Sequence, residues 1–333
     1  DRVKCWGYGG NGRLGYENTN TLKSPSSYVD LGTEDGTSNG TPWTVKAISA
    51  GEESNCVILS NDRLKCWGLN YHGQCGYGDK NNRGDGSGEM GNNLPFVDLG
   101  TEDGTSNGTP WTVKQVSIQG THTCVILSND RVKCWGATSY GKLGLGDPGT
   151  NYYIGDAANE MGNNLPFVDL GTEDGTSNGT PWTVKQIDTG GMHNCVILSN
   201  DRVKCWGTNT NGQLGYEDTT QRGDGSGEMG NNLPFVDLGT GNTARQITCG
   251  GYYDSQYMGH TCVILNQELS DSSNVKSVVK CWGGNGDGQL GLGDTRNRGS
   301  SSTWENELGD SDYWTDTQLG ISGYSWTSNW NSA

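Results

Sequence analysis

The stretch CVILSNDRVKCWG occupies residues 124–136, returns letter for letter at 195–207, and returns again at 56–68 with Leu64 in place of Val. Each copy is two short apolar, β-branched runs around Ser-Asn-Asp, the pattern of a hairpin with a tight turn. A turn at Ser60-Asn61-Asp62 pairs Leu59 with Arg63, Ile58 with Leu64, Val57 with Lys65 and Cys56 with Cys66, so the two thiols face each other at disulfide distance. The same count sets Cys124 against Cys134 and Cys195 against Cys205; Cys262 and Cys281 match across a longer turn. Reduced core cysteines and metal ligation are the competing readings. Metal is the weaker, because a zinc site converges four ligands through closely spaced knuckles and one separate pair per repeat does not.

The tryptophan of Cys-Trp-Gly is a ruler for the whole chain. It falls at Trp6, Trp67, Trp135, Trp206 and Trp282, which marks five units. Each unit runs in one order: a Val/Ile/Leu run, the Cys-Trp-Gly run, a Gly-rich turn such as Gly-Gln-Leu-Gly, a polar segment, the run Leu-Pro-Phe-Val-Asp-Leu, a loop, and a Val-Lys-Gln-Ile run. That is four candidate strands per unit and no helical period. Four antiparallel strands per radial repeat build a blade of a β-propeller, whereas solenoid coils are shorter and sandwich domains longer. The fold class is therefore all-β: residues 1–333 form one β-propeller domain of about five units, and 300–333 form an aromatic closing segment (Trp304, Trp314, Trp326, Trp330).

Composition agrees. Glycine supplies 55 of 333 residues, suiting many tight turns. The excess of 38 acidic over 22 basic residues gives a net charge of −16, which disfavours nucleic acid and anionic lipid as partners. No apolar run is long enough to span a bilayer, so membrane insertion is not expected.

The series from Gly259 to Leu265, Lys280 to Gly283 and Gly288 to Asp294 resembles the regulator of chromosome condensation (alpha-tubulin suppressor-like) repeat family, and more narrowly its secreted, cysteine-paired members. The resemblance runs the length of the chain. It implies a propeller whose ring usually holds seven blades, so the five units here are expected to be part of a larger, seven-bladed ring, but it implies no single activity, since the fold serves an exchange factor, a light receptor and a secreted inhibitor. Paired cysteines imply an oxidising location: extracellular or cell surface, or periplasm in a bacterium. A nuclear exchange factor conflicts with them.

Three cysteines are left over: Cys5, Cys75 and Cys249. Cys5 sits where a partner ten residues upstream is expected, so a further blade or a strand from another copy is anticipated there. His122, His193 and His260 each lie two residues before the first cysteine of a pair, and this recurrence favours a structural imidazole bonded to nearby backbone over a metal site. His72 is expected to face solvent. Arg83-Gly84-Asp85 and Arg222-Gly223-Asp224 read as turns, and the Gly78-to-Glu89 segment lacks calcium-loop spacing. No nucleophile–base pair or phosphate loop emerges, so no enzyme activity and no cofactor or metal is expected.

One loop stands out. Thr-Glu-Asp-Gly-Thr-Ser-Asn-Gly-Thr-Pro-Trp-Thr occurs at 33–44, 101–112 and 172–183 and shrinks to Thr240-Gly241-Asn242-Thr243 in the next unit. An insertion that leaves its flanks intact must project, and each copy carries a glycosylation acceptor, at Asn39, Asn107 and Asn178. The reading that follows is a non-enzymatic extracellular structural or adhesive module binding proteins or copies of itself. The alternative is a soluble secreted propeller that binds a protein or carbohydrate on one face.

Overall fold

The computed structural model describes residues 1–300 except 26, 147, 148, 150, 253–258 and 269–274; the expected closing segment beyond residue 300 lies outside the described residues. Strands β1 (Val45–Ala50), β2 (Ser54–Leu59) and β3 (Leu64–Gly68) form the first antiparallel sheet; β4 (Val113–Gln119), β5 (His122–Leu127), β6 (Val132–Ala137) and β7 (Tyr153–Ile154) form the second. The third is β8 (Val184–Thr189), β9 (His193–Leu198) and β10 (Val203–Gly207), and the fourth β11 (Asn242–Gly250), β12 (His260–Glu268) and β13 (Val275–Gly283). These are the blades of a β-propeller. The hairpin register opposes Ile58 to Leu64, Val57 to Lys65 and Cys56 to Cys66, and repeats in the later blades.

One expectation changes, that of a fourth strand in each blade. The run Leu94–Leu99 is not a strand; it lies extended beside β3, with one bond from Val97 N–H to the Leu64 carbonyl. Pro95 has no N–H to give, and the outer edge of β3 is already occupied. The Tyr77 hydroxyl accepts from Cys66 N–H at 2.9 Å and donates to its carbonyl at 2.8 Å. Tyr216 does the same at Cys205. What remains of the fourth strand is a bridge such as Gly68 to Arg83 or Gly207 to Arg222, lengthened to β7 only in the second blade.

The core sits between blades. Cys56, Ile58 and Leu64 of the first sheet pack with Val113, Val125, Leu127 and Trp135 of the second, and the next seams repeat the pattern. Each buried tryptophan reaches back across its seam: Trp67 Nε1 donates to the Arg13 carbonyl, Trp135 to Gln74, Trp206 to Lys142 and Trp282 to Gln213, at 2.9–3.1 Å. The same four carbonyls also accept from Asn55, Thr123, Asn194 and Thr261. This is why the turn ends in glycine whatever side chain stands at its second position. Its last glycine takes φ of +65 to +76°, and a β-carbon at Gly15, Gly76, Gly144 or Gly215 would stand 2.7–2.9 Å from the indole nitrogen of the next blade.

Strand direction fixes two faces. Each Gly-Gln-Leu-Gly turn follows Cys-Trp-Gly and lies beside the β1–β2 connection, as the bond from Leu69 N–H to Glu53 carbonyl shows. The inserted loops precede the first strand of each blade, beside the Ser-Asn-Asp turns, as Ser60 N–H to Thr44 carbonyl shows.

Candidate functional site

Four disulfides join Cys56–Cys66, Cys124–Cys134, Cys195–Cys205 and Cys262–Cys281, with Cα atoms 4.1–4.2 Å apart. All are non-hydrogen-bonded partners across a hairpin, the positions where strands approach most closely. Cys5, Cys75 and Cys249 are thiols. Burial pushes Cys5 up to about 11 and Cys75 up to about 12, so both are protonated at neutral pH.

The histidines belong to the seams. His122 Nε2 lies 2.7 Å from Asn194 Oδ1 and His193 Nε2 lies 2.9 Å from Thr261 Oγ1, so each ring bonds a side chain of the following blade, and His122 also interacts with the nearby backbone of Gln119. Burial pulls both rings down to about 3, and they stay neutral. His193, Cys195 and Cys249 offer ligand atoms within 4.8 Å of one another. That space is taken by the Thr261 hydroxyl, 3.7 Å from Cys195 Sγ and 4.0 Å from Cys249 Sγ, and Cys195 is committed to its disulfide.

The turn face carries tyrosines that sequence reading passed over. Tyr8, Tyr71, Tyr140, Tyr152 and Tyr252 are all exposed and all lie at this end of their strands. His72 is half-buried, not solvent-facing: its ring stands 5.1 Å from Tyr71 and 4.9 Å from Tyr153. Lys80 lies over Tyr153 and pairs with Asp156 at 2.9 Å. Beneath, Lys142 replaces the glutamine of the turn, is fully buried, and donates to Thr121 Oγ1. Desolvation pulls its ammonium down to about 7. The legible signal was positional: Asn11, His72, Tyr140, Asn211 and Asp287 occupy one turn position, and that position varies while the glycine after it does not.

The opposite face carries the inserted loops. Each closes on itself: Glu34 N–H donates to Thr41 carbonyl at 2.8 Å, Trp43 N–H to Gly32 carbonyl at 3.0 Å, and Thr33 Oγ1 to Thr37 carbonyl at 2.6 Å, with the same bonds in the 101–112 and 172–183 copies. Bonds from Thr37 hold the Asp35 carboxyl below its usual range, as bonds from Thr105 and Thr176 do for Asp103 and Asp174. Each loop is anchored to the next unit through Thr33 N–H to Asn92, Thr101 to Asn163 and Thr172 to Asn231. Buried lysines support the loop bases: Lys65 Nζ donates to the Leu31 and Gly91 carbonyls, and Lys133 and Lys204 act alike. Asn39, Asn107 and Asn178 are exposed at the loop tips.

The Arg-Gly-Asp triplets are not on display. Arg83 is paired with Asp79 at 2.7 Å, Gly84 is buried, and a β-carbon on Gly12 of the preceding unit would strike the backbone at Gly84 and Asp85. Glu89 accepts from Gly84 and Gly86 N–H, so this carboxylate serves its own turn.

The profile of the regulator of chromosome condensation (RCC1) repeat matches residues 45–74, 113–142 and 184–213, each running from the first strand of a blade to its Gly-Gln-Leu-Gly-type turn. The chain is similar to the ultraviolet-B receptor UVR8 of Arabidopsis thaliana, 23% identical over 89% of this chain and 64% of the receptor. It is also similar to the mitochondrial RCC1 domain-containing protein RUG3 of the same plant, 24% identical over 88% of this chain and 52% of that protein. It therefore spans between about half and two thirds of the length of these relatives. Among solved structures, human WBSCR16 matches 90% of this chain and 62% of its own with a TM-score of 0.58 at 16% identity, a likeness of fold. A propeller of this kind is a general protein-binding module. The chain carries regulator of chromosome condensation repeats, in a form whose four described blades each hold a disulfide.

Proposed function

We propose that the chain is a non-enzymatic extracellular structural or adhesive module that presents the loops at 33–42, 101–110 and 172–181 to a protein partner or to further copies of itself. The observation that carries this reading is the repetition of one self-bonded loop, same sequence and same hydrogen bonds, on one face of successive blades. Three equal sites on a stiff frame suit multivalent attachment, where avidity exceeds the affinity of one contact. A disulfide in each blade supports an oxidising location. In a eukaryotic host the exposed Asn39, Asn107 and Asn178 would carry glycans, placing sugar at the loop tips. The test is light scattering and surface capture with the three loops shortened to the Thr240-to-Thr243 form: loss of assembly or capture in a folded protein supports the proposal, and unchanged binding ends it.

A second reading, a soluble propeller gripping one protein or carbohydrate ligand, is favoured by the exposed tyrosines of the turn face. Tyrosine supplies contact area with little entropy loss and is enriched at interfaces. Tyr71→Ala with Tyr152→Ala separates the readings, because it should abolish ligand capture while sparing loop-dependent assembly.

A further inference from the structure

Cys249 stands on β11 at the position that Thr189 fills on β8, and it faces the seam between the third and fourth blades. Its Sγ lies within 4.8 Å of the Sγ of Cys195, which is itself bonded to Cys205. Both sulfurs approach the Thr261 hydroxyl, at 4.0 and 3.7 Å, and that hydroxyl is fixed by His193 at 2.9 Å and by the Gln213 carbonyl at 2.9 Å. Cys249 N–H is anchored on Asp188 Oδ2 at 2.8 Å, so its backbone is held beside the disulfide. A thiol placed this way has a reaction partner within its own chain.

We propose that Cys249 is a resident nucleophile for the Cys195–Cys205 disulfide, converting a bridge within the third blade into a Cys195–Cys249 cross-link that staples the third blade to the fourth. The Cys249 thiol loses its proton to solvent, its sulfur bonds Cys195 Sγ, the Cys195–Cys205 bond breaks, and the Cys205 thiolate leaves and takes up a proton. One disulfide and one thiol enter and leave, so no oxidant is consumed. Burial and the carboxylate of Asp188 both raise the Cys249 thiol well above its ordinary value. His193 and His260 are the other titratable groups nearby, and His193 is neutral. Exchange is therefore slow at neutral pH and faster in alkali, where thiolate becomes available. Cys75 packs in the same core as Cys56–Cys66, but its thiol donates to the Leu69 carbonyl at 3.6 Å, so it is the internal comparison for Cys249.

The test uses the whole chain, held folded at about pH 9 without oxidant or added thiol, then quenched in acid and mapped without reduction. Growth of a Cys195–Cys249 peptide, matched by labelling of Cys205 and absent in Cys249→Thr, is the expected result. A map that keeps Cys195–Cys205 intact with Cys249 still a thiol overturns the proposal, as does scrambling in which Cys5 or Cys75 exchanges as readily as Cys249. A second variant guards against a slow reaction: Cys205→Ala, oxidised with glutathione disulfide, should close Cys195–Cys249 while Cys75 stays free. If Cys195 and Cys249 instead end as separate glutathione adducts, the juxtaposition is too loose and the proposal falls.

Discussion

Gly76→Ala should cost far more than an alanine at a left-handed glycine in open space, because Gly76 carries two constraints and only one is backbone. Its φ is +76°, and a β-carbon there would stand 2.7 Å from Trp135 Nε1 and 3.0 Å from Met161 Cε and Val97 Cγ1. The left-handed conformation costs an L-residue about 1–2 kcal/mol. Forcing a methyl into a packed seam adds about 1–3 kcal/mol, so the total is about 2–5 kcal/mol. Gly104 is the control, with φ +71° and nothing within 4 Å, and its alanine should cost only the backbone share. The gain from a stiffer unfolded chain is common to both and cancels. Urea midpoints on matched proteins measure the difference. Trp135→Phe adds a cross-check, since the smaller ring should relieve the clash and make the double variant less costly than the sum of the singles. Equal losses at Gly76 and Gly104, or strict additivity with Trp135→Phe, would refute the account of the seam.

His122 and His193 make the fold acid-sensitive. Each is held at about 3 by burial against an ordinary value of 6.5, so between those limits the unfolded chain binds a proton that the folded chain refuses. Their contribution is complete above pH 6.5 and is lost as pH falls toward 3, at about 1.4 kcal/mol per pH unit per histidine; His122→Gln should flatten the pH dependence of the urea midpoint, and an unchanged slope would show the ring already charged. Replacing Cys124 and Cys134 together by alanine should lower stability by about 2–3 kcal/mol, as expected for a short closed loop, read by denaturation against the parent. Shortening only the 101–110 loop to its fourth-blade form should change stability by less than about 1 kcal/mol, because loop length alone is thermodynamically cheap; a larger loss would mean that the bond from Thr101 N–H to Asn163 supports the ring.

The hairpin register could be read because it depends on neighbours in sequence: an alternation of side chains, a turn of Ser-Asn-Asp and two cysteines. The fourth strand could not. Its place is taken by a phenol, Tyr77 or Tyr216, that satisfies both backbone groups of a cysteine eleven residues before it, and nothing local marks that substitution. The seam was hidden for a related reason. Gly-Gln-Leu-Gly looks like an ordinary turn until the indole of the next blade, some sixty residues on, is seen to need its carbonyl and the space above its last glycine. The recurring histidine was legible as structural, but its partner was not, since Asn194 and Thr261 become neighbours only when blades stack.

The two faces differ in a way that bears on partner choice. On the loop face the same twelve residues stand three times, held by the same bonds, so whatever one loop recognises the others also recognise. On the turn face the corresponding position is Asn11, His72, Tyr140, Asn211 and Asp287 in successive units, with tyrosines beside it at uneven intervals. Equal sites gain from a repetitive partner, where each added contact multiplies the last. An uneven surface gains nothing from repetition and can be complementary to only one arrangement of groups. A chain that binds a lattice or its own copies would use the first face, and a chain that selects one protein would use the second. The seams make both possible at once, because the buried tryptophans and their carbonyls hold the blades in place whatever residues the turn tips carry.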